Sequence, residues 1–401
     1  MPKLEAPPGL PQVKKVAVAY SGGLDSALCL KLLPEYYGAK EVLPVTINVG
    51  LDDEELGECR SKAELAGVKW VMQDGEDEFA DEWITKAIRA NSSYEGYPAG
   101  TSMTRQLIAR RVALFALENG CDAICEGSTG KGNDQFRMSN VFSIFAPDLT
   151  VILPVRDFNF PRAEEKVLSK EYGIPYREGI GDDRNMWSRS IGSGEVDNLQ
   201  MRISKETYLW WVPPEDAPDK PTTISMEFKD GIPVSCDGKT RLADIIQYLN
   251  KLGGANSIGK IDMMEDGMMG LKSREAYEAP GAIIILKLHK DLEQLCLTKE
   301  EVYFKPIVDA KWAELVYSGA WFHPLKDDLD AFIARSQRFV NGKYQVELFK
   351  GNIDVVLRES ETGLFDPEIR SLARKGFDQR DAGPAVKIHT VPYKILGKRG
   401  L

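Results

Sequence analysis

The sequence predicts an α/β protein: a parallel, doubly wound domain, then an α+β domain, then a C-terminal arm. Three observations carry this. Between Lys14 and Tyr176, short apolar runs alternate with helical patterns, as a parallel sheet wrapped by helices requires. After about Pro175 the pattern changes to paired short strands around tight turns and to long helices. Over the last 40 or so of the 401 residues the periodicity weakens.

The Pro-rich residues 1–13 are expected to be loose. Within the first domain, 14–176, strands are expected at 16–20, 42–47, 70–72, 123–125 and 151–153. Helices are expected near 25–36, 53–66, 77–91 and 103–119. The last is the clearest: Met103, Leu107, Leu114 and Leu117 share a stripe, Thr101 or Ser102 is placed to cap its start, and Gly120 ends it. The second domain, 177–365, opens on a polar stretch, 181–211, with Trp187, Trp210 and Trp211 interspersed. A stiff Pro-rich connection follows at 212–221. Hairpins are expected at 224–236 about Lys229-Asp230-Gly231 and at 343–357 about Lys350-Gly351-Asn352. Helices are expected at 241–252, 281–295 and 298–319, with Pro280 suited to the first helical position of the second. Residues 366–401 read as a tail that reaches another subunit.

Composition narrows the function classes. Apolar content of 43% and charged content of 28% are ordinary for a globular chain. A net charge of -10 leaves no global basic footprint for nucleic acid. Cys121 and Cys125 are four apart, not in a Cys-x-x-Cys arrangement, and no second pair follows. Structural zinc is therefore disfavoured, and free thiols in a reducing cytosol are expected. The three histidines, His289, His323 and His389, are far apart in sequence, which gives little support to a His metal site or a Ser-His-Asp triad. No apolar run approaches the roughly 20 residues of a membrane span, and the start lacks a signal-peptide core. A cytoplasmic location is expected.

The chemistry lies in three stretches. The first runs from strand 16–20 through Ser21-Gly22-Gly23-Leu24-Asp25-Ser26 into a helix. Glycines let the backbone approach a ligand, and the free N–H groups and dipole of the helix start favour an anion. The spacing is neither that of a Walker loop nor of a dinucleotide fingerprint. The second follows strand 123–125 and reads Gly127-Ser128-Thr129-Gly130-Lys131-Gly132-Asn133-Asp134-Gln135-Phe136-Arg137. Its guanidinium, amide and hydroxyl suit a carboxylate, and Asp134 suits an ammonium. The third holds Tyr97, Thr101, Ser102 and Arg105, with the hydroxyls at a helix start and the arginine one turn on, a cradle for a carboxylate or phosphate.

Ser-Gly-Gly-x-Asp-Ser resembles the pyrophosphate-binding loop of the ATP pyrophosphatase (PP-loop) superfamily. Together the three stretches resemble the argininosuccinate synthase family, whose Tyr-Ser-Gly-Gly-Leu-Asp, Tyr-x-x-Gly-Thr-Ser-x-x-Arg and Gly-x-Thr-Gly-Lys-Gly-Asn-Asp-Gln-x-Arg strings are met here at 20–25, 97–105 and 127–137. The likeness continues at 217–221, 259–265, 272–280 and 313–317, and covers roughly 14–360.

This resemblance implies an adenine nucleotide alpha hydrolase-like domain followed by a synthetase domain. It implies a C–N ligase that joins citrulline to aspartate through a citrullyl-adenylate, with ATP and Mg²⁺ bridging its β- and γ-phosphates. It implies a homotetramer and no nucleic-acid or membrane partner. ATP would be held by Ala19, Tyr20, Ser21, Gly22, Gly23, Leu24, Asp25, Ser26, Ala27, Ile47 and Gly127. Aspartate would be held by Thr101, Thr129, Asn133 and Asp134. Citrulline would be held by Tyr97, Ser102, Arg105, Asn133, Arg137, Ser190, Glu265 and Tyr277. Catalytic roles fall to Asp134, Arg137, Ser21 and Asp25, and no resident metal site is implied.

The chain departs from the family pattern mostly around citrulline. Gly181 replaces a serine, Gly192 replaces a glutamate near the ureido side, Glu126 stands where histidine is common, Leu51 where glutamine is usual, and Asp266-Gly267 where Asn-Arg is usual. Two other classes stay open at this point: a tRNA-modifying adenylating enzyme with the same ATP loop, and a non-catalytic small-molecule sensor of the same fold.

Overall fold

The computed structural model describes residues 4–176, 181–373 and 376–400. Strands β1 (Lys15–Ala19), β2 (Glu41–Asn48), β3 (Val71–Asp74), β4 (Ala123–Cys125) and β5 (Thr150–Ile152) form a sheet of order β3-β2-β1-β4-β5, every neighbouring pair parallel. It is doubly wound. In β1, Val16 and Val18 join one core with Leu28 and Leu168, while Ala17 joins the other with Leu107 and Val112. Helices Leu24–Tyr36 and Arg162–Glu171 thus cover one face and Thr101–Glu118 the other. Burial on both faces makes these strands short apolar runs.

The five strands and the first four helical segments stand within a few residues of their predicted positions. The third is irregular between its ends. Over Glu76–Arg89 a π-helical turn, Phe79–Ile84, buries Phe79 and Trp83, and Trp83 stacks on Trp321 at 3.8 Å. Helices Asp134–Phe145 and Arg162–Glu171 are additions to the sequence reading. Residues 4–13, expected to be loose, set Leu4 and Leu10 against the core.

The polar stretch after 181 is not a plain connection. It contains β6 (Gly181–Arg184) and β7 (Arg189–Gly192). The expected hairpin about residue 230 is β8 (Thr222–Lys229) and β9 (Ile232–Cys236). In its turn Asp230 (φ 49°) and Gly231 (φ 76°) are both left-handed, as a two-residue turn requires. Two strands unforeseen from sequence follow, β10 (Lys260–Asp266) and β11 (Lys272–Glu278), and then the second expected hairpin, β12 (Gly342–Phe349) and β13 (Asn352–Glu359). They assemble into two antiparallel sheets, β10-β11-β7-β6 and β13-β12-β8-β9.

Helices Leu242–Ala255, Pro280–Cys296 and Lys299–Tyr317 match the expected ones, with Pro280 at the first position. A further helix, Pro324–Ser336, was not foreseen. Ile245, Ile284 and Leu288 share one core with Leu107 and Val112, which ties this half to the parallel sheet.

Residues Met1–Thr362 form one compact unit and Gly363–Leu401 a second. Among its described residues the second holds three short α-helices, Pro367–Arg370, Ala382–His389 and Val391–Gly397. All six cysteines are free and buried. No helix among the described residues is long and apolar enough to cross a membrane.

Candidate active site

The loops after β1 and β4 meet where the strand order reverses, the place at which doubly wound sheets bind ligands. Gly127 touches the first loop so closely that a Cβ there would stand 2.9 Å from the Ser26 nitrogen. Gly22 has φ 70°, and a Cβ on it would meet the Cys59 sulfur at 2.6 Å. The Ser21 and Ser26 hydroxyls lie 3.2 Å apart, and Gly23 N–H donates to Ser21 Oγ at 3.3 Å. Lys62 Nζ ties down the Gly22 carbonyl at 2.8 Å. No side chain caps the helix that begins at Leu24, which leaves its start to a ligand. Arg162 holds the Asp25 carboxylate and reaches Glu165 at 2.6 Å. The Tyr20 hydroxyl turns inward and donates to the Cys59 carbonyl.

From the second loop a polar chain runs across to the antiparallel sheet. Arg105 donates to Asp134 and to Asp183, each at 2.8 Å. Arg137 donates to Asp134 at 3.0 Å and to the Tyr317 carbonyl at 2.9 Å, and its guanidinium lies 4.7 Å from the Tyr317 ring centroid. Asn133 donates to the Tyr317 hydroxyl at 3.0 Å and accepts from Met268 N–H at 2.8 Å. Both Tyr317 and Tyr277 give their hydroxyls to Glu265. Tyr97 stacks on Tyr277 at 3.9 Å, and Tyr94 on Tyr317 at 3.6 Å.

Strand register explains how the second sheet presents these groups. Tyr277 pairs with Ser190, and Ser190 with Asp183. Paired residues share a face, and the face alternates along each strand. One face therefore carries Glu265, Tyr277, Ser190 and Asp183, together with Glu275, Gly192 and Gly181. The other carries Ile191 and Ala276 in a small core and buries the Arg189–Glu278 ion pair.

Electrostatics set the ionisation states. Burial works against a charged Asp134, but Arg105 and Arg137 outweigh it and hold its carboxyl below the usual range. Burial pushes Glu126 up to about 7. Its Oε2 accepts Ser128 N–H at 2.8 Å, while Oε1 is buried with no partner among the described residues.

Most expected residues converge here. Tyr97, Arg105, Asn133, Asp134, Arg137, Glu265 and Tyr277 join in one contact chain, and Ser190 shares the sheet face. The capping role expected of Thr101 or Ser102 is corrected. Gly100 is the N-cap and no side chain caps the helix. Thr101 instead gives its hydroxyl to Asp183 at 2.9 Å. Ser102 Oγ is buried with no partner among the described residues. Ile47 is buried near the end of β2 and is not part of that polar chain, and Thr129 is half-buried in the second loop.

Asp183 and Tyr317 were missed as site residues. Both stand in stretches compared with the family strings, but their types and spacing carry no sign of a role. The three histidines lie elsewhere: His289 bonds Asn91 and Gln337, His323 accepts from Leu325 N–H, and His389 belongs to the C-terminal unit.

A glycine loop at the switch point of a doubly wound parallel sheet is the architecture of a nucleotide-binding α/β protein. The family models narrow this. The model described as the arginosuccinate synthase N-terminal HUP domain matches residues 15–175, and the one described as its C-terminal domain matches 181–396. Relatives named argininosuccinate synthase are similar over nearly the whole chain. That of Methanopyrus kandleri is 42% identical over 394 residues, covering 97% of this chain and 100% of its own. That of Methanococcus maripaludis is 43% identical, covering 96% and 98%, and that of Methanocaldococcus jannaschii is 44% identical, covering 96% and 100%. The chain belongs to the argininosuccinate synthase family, a family of ATP-using ligases. The tRNA-modifying and sensor readings are not favoured.

Proposed function

We propose that this chain joins L-citrulline to L-aspartate through a citrullyl-AMP intermediate and releases AMP and pyrophosphate. The observation that carries the reading is the unbroken polar chain from Asp183 through Arg105, Asp134, Arg137 and Tyr317 to Glu265 and Tyr277. It joins the nucleotide half of the site to the sheet that receives the acceptor. On this reading 14–176 is the ATP domain and 177–365 the synthetase domain.

The chemistry explains the residue types. A ureido carbon is a poor electrophile. Its oxygen attacks the α-phosphate, pyrophosphate leaves, and the aspartate amine then displaces AMP from the activated carbon. Positioning and charge stabilisation are the protein's work, with no covalent nucleophile. Ser21, Ser26 and the backbone from Ala19 to Ala27 hold the phosphates, with Gly127 beside them and Ile47 at the adenine. Mg²⁺ enters with ATP, and Asp25 is suited to its water shell. Asp134, kept ionised by its two arginines, binds the aspartate ammonium and orients the amine with Thr101, Thr129 and Asn133. Arg137 suits the citrulline carboxylate and Glu265 its ammonium, with Tyr97, Ser102, Arg105, Ser190 and Tyr277 around them.

Release of AMP and pyrophosphate from ATP, measured with each amino acid alone and with both, tests this. AMP formed only with both supports the reading, and no AMP with both overturns it. Asp134→Ala is expected to abolish product while leaving citrulline-dependent ATP–pyrophosphate exchange partly intact.

A cytoplasmic homotetramer with 366–401 as its arm completes the proposal. Leu372 is 87% exposed and Ile388 74% within that unit, which supports a role in assembly. Sedimentation equilibrium gives the test.

A further inference from the structure

We infer that Glu275 is a substrate-contacting carboxylate of this site, accepting the ureido N–H groups of the acceptor above a floor made by Gly192 and Gly181. The inference rests on the ligase reading above.

Three observations lead to it. First, the register Ala276–Ile191 and Tyr277–Ser190 brings Glu275 beside Gly192 on the face that carries Tyr277 and Glu265. Second, a Cβ on Gly192 would stand 3.2 Å from Glu275 Oε2, so the carboxylate fills the space a side chain at 192 would take. Gly192 has no left-handed φ, so its backbone does not require glycine. The absent side chain gives room instead. Gly181 pairs with Gly192, which leaves the next position of this face bare as well. Third, Glu275 is half-buried and forms no ion pair among the described residues. The Ser273 hydroxyl bonds it, Arg137 attracts it more weakly, and Glu265 and Asp197 repel it. Tyr277 faces it from its own strand. A carboxylate kept there without a paired cation is costly unless a ligand supplies donors.

The reaction supplies them. When the ureido oxygen forms its bond to the α-phosphorus, the bond to the pyrophosphate oxygen breaks and the electron pair leaves with pyrophosphate. Positive charge then spreads over the ureido carbon and its nitrogens. A carboxylate accepting their N–H bonds becomes more favourable as that charge grows, so it stabilises the transition state more than the ground state. Burial raises the Glu275 carboxyl to about 7 in the empty site, with Glu265 and Asp197 adding and Ser273 and Arg137 opposing. The citrulline kcat/KM therefore falls as pH drops through the neutral range.

Citrulline-dependent ATP–pyrophosphate exchange, followed between about pH 5.5 and 9, tests the inference on the full chain. Glu275→Gln is expected to lower citrulline kcat/KM by roughly 30-fold or more, leave the ATP KM within about twofold, and lose the acid limb. A Glu275→Gln enzyme within about threefold of wild type that keeps the limb overturns it. The exchanged pair gives a second arm. Gly192→Glu with Glu275→Gly, which returns the carboxylate from the neighbouring strand, is expected to recover at least about tenfold over Glu275→Gly alone. No recovery in a double variant that melts with wild type overturns the inference. Wild type without any citrulline-dependent exchange would instead sink the ligase reading itself.

Discussion

Thr101 gives its hydroxyl to Asp183 at 2.9 Å, tying the start of a helix on the parallel sheet to a strand of the antiparallel one. Arg105, one turn along the same helix, donates to the other oxygen of that carboxylate and also to Asp134. Asp183 thus fixes the arginine that fixes Asp134. Asp183→Ala frees one side of Arg105 and lets Asp134 shift. Its expected effect is a rise of about tenfold or more in the aspartate KM, with a smaller effect on ATP. Steady-state kinetics with each substrate varied will check this, and an unchanged aspartate KM refutes the positioning role.

Gly127 sets the distance between the two loops. An added Cβ would meet only backbone, the Ser26 nitrogen at 2.9 Å and the Asp25 carbonyl carbon at 3.1 Å, so no side chain can swing aside. Gly127→Ala must push the loops apart. The expected cost is about 1–3 kcal/mol of stability, with a rise in the ATP KM of about tenfold or more. Thermal melting with and without ATP separates the two effects. A variant that binds ATP as wild type does would show that the loops move independently.

The parallel sheet is legible in the sequence because burial on both faces makes β1, β2 and β4 apolar, and because Ser21 to Ser26 must follow such a strand. The β10-β11-β7-β6 sheet is illegible for the opposite reason. One of its faces carries the polar residues of the candidate site, and the other pairs Arg189 with Glu278 and Arg274 with Asp262. Runs such as Lys260-Ile261-Asp262-Met263-Met264-Glu265 and Gly181-Asp182-Asp183-Arg184 therefore show no alternation. The helix from Asp134 was hidden because its first turn is spent on Asp134 and Arg137, not on apolar residues. Of the site, loop residues could be named from motif strings. Asp183 and Tyr317 depend on cross-strand register and on a helix end, which spacing does not record.

Glu278 holds the back of that sheet together. It is fully buried, pairs with Arg189, and accepts backbone N–H bonds from Leu209, Trp210 and Trp211 at 3.1, 2.7 and 2.7 Å. Glu278→Ala leaves three buried N–H groups without their acceptor and takes from Arg189 one of its two carboxylates, the other being Asp182 at 2.8 Å. A loss of about 3–5 kcal/mol follows, and because Tyr277 is its neighbour in sequence, citrulline binding weakens as well. Urea denaturation measures the first effect, and a midpoint unchanged from wild type contradicts the account.

Glu126 offers a pH test of the folded state. Burial is the largest influence on it and raises its carboxyl from 4.5 to about 7. Asp134 adds to the rise, while the Ser128 hydrogen bonds and Arg105 oppose it. An acid whose folded pKa is raised binds its proton more tightly when folded. The stability it contributes is therefore full below about 4.5 and is lost as pH climbs through about 7. Above that window the charged form sits buried, with Oε1 lacking a partner among the described residues. Glu126→Gln removes the charge and keeps an acceptor for Ser128 N–H. It should stabilise the chain by about 1–3 kcal/mol near pH 8 and by much less near pH 5. The difference in melting temperature between variant and wild type, measured at both pH values without ATP, decides the matter. An equal difference at the two pH values would mean that Glu126 carries its charge at no cost to the fold.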